Sequence, residues 1–191
     1  MKISIIGDTH LSHKNIASYC DRPDDWEELI EENLCNLETF PPDLLIHLGD
    51  VSLGNDEQWH DLITNQLPCK KWLVLGNHDN KSMTWYLNHG WDFVARSFTM
   101  YYFGLRIFFS HRPSIIPPTK LFVKEKVRDV EITKERSNFD INIHGHIHNS
   151  NINLPDWCKP YIIEDRDYKP IDLKGFLDEE IKAKQKSLQE K

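Results

Sequence analysis

Lys2-Ile3-Ser4-Ile5-Ile6-Gly7-Asp8-Thr9-His10 and Leu44-Leu45-Ile46-His47-Leu48-Gly49-Asp50 share one construction, a short apolar run that stops at glycine and aspartate. Runs of that length and character read as strands buried on both faces, as in parallel sheets. Lys71–Leu75 repeats the plan and stops at Gly76-Asn77-His78-Asp79. Between the first two strands, Trp26, Leu29, Ile30, Leu34 and Leu37 fall at helical spacing. Asp24-Asp25-Trp26-Glu27 precedes them as a capping box, with Asp24 accepting from the amide three residues on, and Pro41-Pro42 ends the helix. Asp56–Gln66 is a second predicted helix, cut off by Pro68, and Met83–Asn88 a short third one. Strands alternating with helices predict an α/β fold.

Further on the pattern changes. Phe98–Phe103 and Leu105–Ser110 are aromatic-rich runs around Gly104, which predicts a hairpin. Its aromatics, Phe98, Tyr101, Tyr102, Phe103, Phe108 and Phe109, suit core packing better than stacking on a base. Pro113, Pro117 and Pro118 predict an irregular loop, and the charged residues 120–137 a lid or mobile loop. Ile141–His144 is a strand running into Gly145-His146-Ile147-His148, and Tyr161–Ile163 another. Leu173, Phe176, Leu177 and Ile181 predict a C-terminal amphipathic helix that frays into a charged tail over 176–191. Early strands interleaved with helices and later strands without them predict a mixed sheet, or two sheets face to face, with helices outside.

The chain has 191 residues, which fits one domain over 1–191 with a substantial core. A formal charge of −7 argues against broad binding to duplex nucleic acid, though not against a nucleotide or short strand held through bound cations. Cys20, Cys35, Cys69 and Cys158 form no C-x-x-C pair and read as reduced, packed thiols of a cytoplasmic protein. The apolar N-terminus is too short for a signal peptide, and no stretch approaches the ~18 apolar residues of a membrane span.

Five strings thus recur in order: Gly7-Asp8-Thr9-His10, Gly49-Asp50, Gly76-Asn77-His78-Asp79, Ser110-His111 and Gly145-His146-Ile147-His148. Asp8 and His10, two apart past a strand, can reach the same ion, and if Ile147 points into the apolar layer, His146 and His148 share the opposite face. The glycines allow tight turns and close approach of backbone to ions or phosphate. Carboxylate, imidazole and amide oxygen together suit divalent metals of intermediate hardness.

From Lys2 to His148 the strings resemble the calcineurin-like metallophosphoesterases. That resemblance implies a four-layer α/β/β/α sandwich of two mixed sheets flanked by helices, with the site at strand ends. It implies two divalent ions, with Mn²⁺ favoured and Fe²⁺, Zn²⁺ or Ni²⁺ also suited. Asp8, His10 and His148 would hold the first ion, Asn77, His111 and His146 the second. Asp50 would bridge them, its two oxygens spanning the about 3.5–4 Å of a two-metal site. The implied reaction is attack of a metal-bridging hydroxide on a phosphoester. His78 matches the family position that protonates the leaving group, its ring oriented by Asp79 or Asp50.

Further candidates flank these strings. His10-Leu11-Ser12-His13-Lys14-Asn15-Ile16, with Arg22-Pro23, resembles a small phage and bacterial subgroup, so His13 is either a phosphate contact or a solvated loop histidine. Arg22 is either a bidentate phosphate clamp or an exposed charge before a helix, and Arg112 follows a ligand. His144 is a candidate support for the ligands, His47 a core or edge histidine, and His60 and His89 surface residues.

The function expected is a dinuclear phosphoesterase, foremost a phosphodiesterase acting on a nucleotide, cyclic phosphate or nucleic-acid end. The alternatives are a phosphomonoesterase, including a protein phosphatase, and a non-catalytic binding module. Specificity is expected in residues 11–25, 52–58 and 112–138, which the sequence does not decode.

Overall fold

The computed structural model of the protein describes residues 1–114, 139–150 and 152–189. The two opening runs form strands β1 (Ile3–Ile6) and β2 (Leu44–His47), every residue of both buried. They pair in parallel, Ile3 opposite Leu44 and Ile6 opposite His47. β3 (Lys70–Val74) continues the sheet in parallel on the other side of β2. Two further strands complete it: parallel β4 (Phe93–Ala95) next to β3, and antiparallel β9 (Ile171–Asp172) next to β1. Both are too short to leave a pattern in the sequence.

A second sheet runs β5 (Ser97–Tyr102), β6 (Leu105–Ser110), β7 (Ile141–His144) and β8 (Cys158–Pro160). β5 and β6 form the expected antiparallel hairpin, while β6, β7 and β8 are parallel. Its turn residues Phe103 and Gly104 have φ of 48° and 81°, as a two-residue type I′ turn requires. The hairpin aromatics pack rather than project: Phe98 stacks on Phe109 at 4.9 Å and meets Trp72 of the other sheet edge-on at 5.3 Å. Tyr101 alone among them is largely exposed, at 72%.

Helices α1 (Ile16–Cys20), α2 (Trp26–Asn36), α3 (Asp56–Gln66), α4 (Met83–Asn88), α5 (Leu173–Phe176) and α6 (Asp178–Gln189) flank the sheets. This is the α/β sandwich of two mixed sheets expected from the sequence. Ile3, Ile5, Ile46, Leu73, Ile107, Phe109 and Ile143 are completely buried between the layers. No helix among the described residues is long and apolar enough to cross a membrane. All four cysteines are free, with Cys20 and Cys158 buried.

Local details depart from expectation. α2 starts after Asp25 with no side-chain cap, and the Glu27 carboxylate instead accepts from the backbone N–H of Ser12. The last strand of the second sheet is Cys158–Pro160 rather than Tyr161–Ile163, although the Tyr161 amide still bonds to the His144 carbonyl at 2.7 Å. The C-terminal helix is broken at Leu177, where α5 ends and α6 begins, and α6 persists to Gln189. Leu173, Leu177 and Ile181 still bury one face. The expected lid over 120–137, with Pro117 and Pro118, lies outside the described residues.

Candidate metal centre

Each of the five strings sits at the C-terminal end of a strand, Asp8, Asp50 and Asn77 from the first sheet and His111, His146 and His148 from the second. The centre therefore lies where the strand ends of two sheets meet, as ligand sites do in open α/β sheets. Direct bonds sew the sheets together there. The Asp8 carboxylate accepts from the His146 amide at 2.9 Å and 3.1 Å, and the Leu48 carbonyl accepts from His111 Nδ1 at 2.9 Å.

The backbone at these ends is left-handed. Asp8, His10 and Asp50 have φ near 53°, and His146 and His148 have φ of 71° and 44°. So His146 and His148 share a face through a turn, not through the strand alternation the sequence suggests. A non-glycine residue in this region costs about 1–2 kcal/mol, and five of them at one place mark a functional site. Gly76 and Gly145 answer a different need, close approach. A Cβ on Gly76 would stand 2.0 Å from Asp50 Oδ1, and one on Gly145 2.1 Å from Asp8 Oδ2.

Among the described residues four groups of three donor atoms come together: His10, His13 and His78; Cys20, His148 and Glu164; and two that join both sheets. In Asp8, His10 and His148, one donor atom from each lies within 4.8 Å of the others, and the same holds for Asp50, His111 and His146. Asp50 joins them. Its Oδ1 accepts from the His78 amide at 2.8 Å, while Oδ2 stands 3.6 Å from His10 Nε2 and 3.3 Å from His111 Nε2. One Asp50 oxygen thus stands between the two clusters, while the other is taken by the His78 amide. Around His111 Nε2, Asn77 Oδ1 at 3.2 Å and His146 Nδ1 at 3.1 Å complete a crowd of lone pairs.

The titration of these groups follows from burial. Burial drives the His10 imidazole down to about 2, and burial with the His111 charge drives His146 to about 4, so both rings are neutral donors. Burial lifts the Asp8 carboxyl to about 6 against the His111 and His148 charges. Burial works against ionised Asp50, but the bond and charge of His111 hold it well below the usual carboxylate range. Burial likewise opposes charge on His111, and Asp50 and Asp8 overcome it, raising that ring to about 9. Among the described residues, neither ring nitrogen of buried His10 has a hydrogen-bond partner. An unpaired buried imidazole is costly. A divalent cation satisfies it together with the surrounding carboxylates, so the donor set fits such ions.

The other candidates separate. His78 is half-buried at the edge of the clusters, its Nε2 4.0 Å from Asp50 Oδ2. His13 is brought beside it, its ring centroid 5.5 Å from that of His78 and 5.4 Å from that of His10. Arg112 reaches Asn77 Oδ1 at 3.4 Å. Asp79 does not face the His78 ring. Its oxygens accept from the Gly76, Asp50 and Val51 amides at 2.7, 2.8 and 3.1 Å, tying the second and third strings together. Burial, with the Asp50 charge, lifts its carboxyl to about 6.

Arg22 is not available to phosphate. Its side chain is fully buried, and it donates to the Asp8 and Thr9 carbonyls and to Glu164. His60 is buried and accepts from Trp91 Nε1 at 2.9 Å, whereas a surface position was expected; its tryptophan partner is 31 residues away. His47 is the satisfied core histidine expected, linking Thr9 Oγ1 and the Gly49 amide. His89 is half-buried and stacks on Trp85 at 3.8 Å. His144 is buried behind the site, with Nδ1 2.9 Å from the Gly145 carbonyl oxygen. Glu164 is the residue sequence reasoning misses. It meets His148 Nδ1 at 3.0 Å from a 3-10 turn, Glu164–Arg166, far from any motif.

Fold and site together define an α/β sandwich whose strand ends carry two adjoining Asp/His clusters suited to divalent ions. The chain belongs to the calcineurin-like phosphoesterase superfamily, whose domain model matches residues 1–156. Among solved structures it is similar to a protein of unknown function from Aquifex aeolicus, with 30% identity and a TM-score of 0.70 over 91% of this chain and 96% of that one. It is also similar to an archaeal phosphodiesterase, at 17% identity and TM-score 0.50 over 91% of this chain and 100% of the other. Yfce, a phosphoesterase from E. coli, aligns at 15% identity and TM-score 0.47 over 85% of this chain and 78% of that one. No curated protein matches the chain.

Proposed function

We propose that this protein is a dinuclear metal-dependent phosphodiesterase acting on a nucleotide, cyclic phosphate or nucleic-acid-end diester. The observation that carries the reading is Asp50 Oδ2, held between the Asp8–His10–His148 and Asp50–His111–His146 clusters. Asp8, His10, His148 and Asp50 would hold one ion, and Asp50, Asn77, His111 and His146 the other. Two such ions supply Lewis acidity toward phosphoryl oxygens and acidify water for attack near neutral pH. His78 stands at the rim to hand a proton to the departing oxygen, with Asp50 beside its ring. His13, next to His78, contributes a hydrogen bond to phosphate. Asp79 acts at a distance, by fixing the turns that carry Asp50 and Asn77.

Chelation should abolish activity, and Mn²⁺ should restore it more fully than Mg²⁺, because an imidazole-rich site suits the softer ion. Elemental analysis under saturating Mn²⁺ should give two ions per chain. One ion or none would contradict the assignment.

A monoester dianion needs more positive charge near the ions than a diester does. With Arg22 withdrawn into the interior, Arg112 and Lys14 are, among the described residues, the basic side chains next to the motif residues. Bis-nitrophenyl phosphate should therefore be hydrolysed with higher kcat/KM than the corresponding monoester under saturating Mn²⁺. Arg112→Ala should reduce monoester activity more than diester activity. Preference for the monoester would move the assignment to a phosphatase, and turnover of neither ester to a binding module.

A further inference from the structure

Four segments distant in sequence converge on one buried ion pair. Glu164 Oε1 accepts from Arg22 Nε at 2.9 Å and Nη2 at 2.7 Å, and lies 3.0 Å from His148 Nδ1. The same guanidinium donates from Nη2 to the Asp8 carbonyl at 2.7 Å and from Nη1 to the Thr9 carbonyl at 2.9 Å. Arg22 is sandwiched from outside by Trp26, 4.8 Å from its guanidinium carbon, and Tyr168 at 5.8 Å. Two bonds from Arg22 to the Asp8-Thr9 backbone and the Glu164 contact with His148 thus place the pair on one side of the centre, the side of Asp8 and His148.

We infer that Glu164 and Arg22 form a clamp that sets the ring orientation of His148 and the backbone of Asp8-Thr9, and so tunes one ion site independently of the other. This rests on the dinuclear reading above. When His148 donates its Nδ1 proton to Glu164, Nε2 is left with its lone pair, and that atom faces Asp8 Oδ1 at 4.0 Å. A carboxylate behind an imidazole both fixes the tautomer and makes the ring a stronger donor. Arg22 neutralises the buried carboxylate, so the clamp carries little net charge into the core. It also braces Asp8, whose left-handed backbone would otherwise relax. Among the described residues the other cluster has no such pair. There the Leu48 carbonyl performs the task for His111 through a backbone contact. Glu164 also lies outside residues 1–156 matched by the family model. Glu164 and Arg22 are positioning residues, since neither faces the space between the clusters.

The test is calorimetric titration of the metal-free full chain with Mn²⁺ alone, comparing wild type, Glu164→Gln, Glu164→Asp and the double variant Arg22→Gln/Glu164→Gln. Wild type should show two binding events. In each variant one event should weaken roughly 10–100-fold, the usual loss when a partner behind a metal-bound histidine is removed, and the other should not change. Glu164→Asp keeps the charge but shortens the reach, so wild-type binding by that variant would show that charge suffices and overturn the clamp. The double variant leaves no unpaired buried charge, so it keeps the test valid if Glu164→Gln alone does not fold. Both events unchanged, or both weakened equally, would overturn the clamp while leaving the dinuclear reading intact. Fewer than two events in wild type would overturn that reading first.

Discussion

Asp50→Asn should cost at least about 10³-fold in hydrolytic rate, more than any other single ligand change. Metal ions contribute several kcal/mol of transition-state stabilisation, and each 1.36 kcal/mol is tenfold in rate. Among the described residues, Asp50 is the side chain that would contact both proposed ions, through an oxygen 3.6 Å from His10 Nε2 and 3.3 Å from His111 Nε2. Asparagine can still accept the His78 amide with its carbonyl oxygen. It then turns toward the two clusters a neutral NH₂ that has no lone pair to offer an ion. Both ions should weaken together. The measurement is metal content beside kcat/KM in Mn²⁺, with the melting midpoint of the metal-free protein as a folding control. A variant that binds two ions and retains a tenth of the rate would remove Asp50 from the bridging position.

His78→Gln should keep both ions and lose roughly 10²–10⁴-fold on diesters with alkoxide leaving groups, the usual size of general-acid catalysis. The imidazole groups with His10 and His13 rather than with either carboxylate-bearing cluster that spans the sheets, and its backbone amide, which the substitution preserves, already holds Asp50. Nitrophenolate leaves without protonation, so the loss on nitrophenyl esters should be much smaller. The two substrates therefore separate proton donation from phosphate binding. Equal losses on both would assign His78 to phosphate binding. His13, whose ring lies 5.5 Å away, would then be the next group to test as the acid.

These expectations draw on different levels of the chain. The candidate ligands were legible because each follows closely on the end of an apolar strand. An apolar run specifies the strand locally, and its end specifies where Asp8, Asp50, Asn77 and His111 must emerge. The hairpin over Ser97–Ser110 was legible for the same reason, through aromatic and β-branched residues around Gly104. Strands of two or three residues such as Ile171–Asp172 were not, since such a length carries no periodicity. Tyr161 and Ile163 are apolar because they are buried, not because they are paired as a strand, and sequence pattern does not distinguish the two.

Arg22 marks the boundary most clearly. Read by itself it is a charge before a helix, exposed or reaching for phosphate. In the structure it is buried, because Glu164 arrives from 142 residues away to neutralise it. His60 is buried for the same kind of reason, with Trp91 Nε1 supplying its bond. Asp79 belongs to a motif, yet its role comes largely from the Asp50 and Val51 amides, 29 and 28 residues away, which only the packed sheet brings near. The sequence by itself determined the strands of four or more residues, the order of the five strings and the donor atoms they carry, since these follow from local propensity and from the chemistry of the side chains. Tertiary structure alone decided which oxygen of Asp50 stands between the clusters, which charges are buried and what orients His148. Those depend on long-range partners whose distance and direction no local pattern encodes.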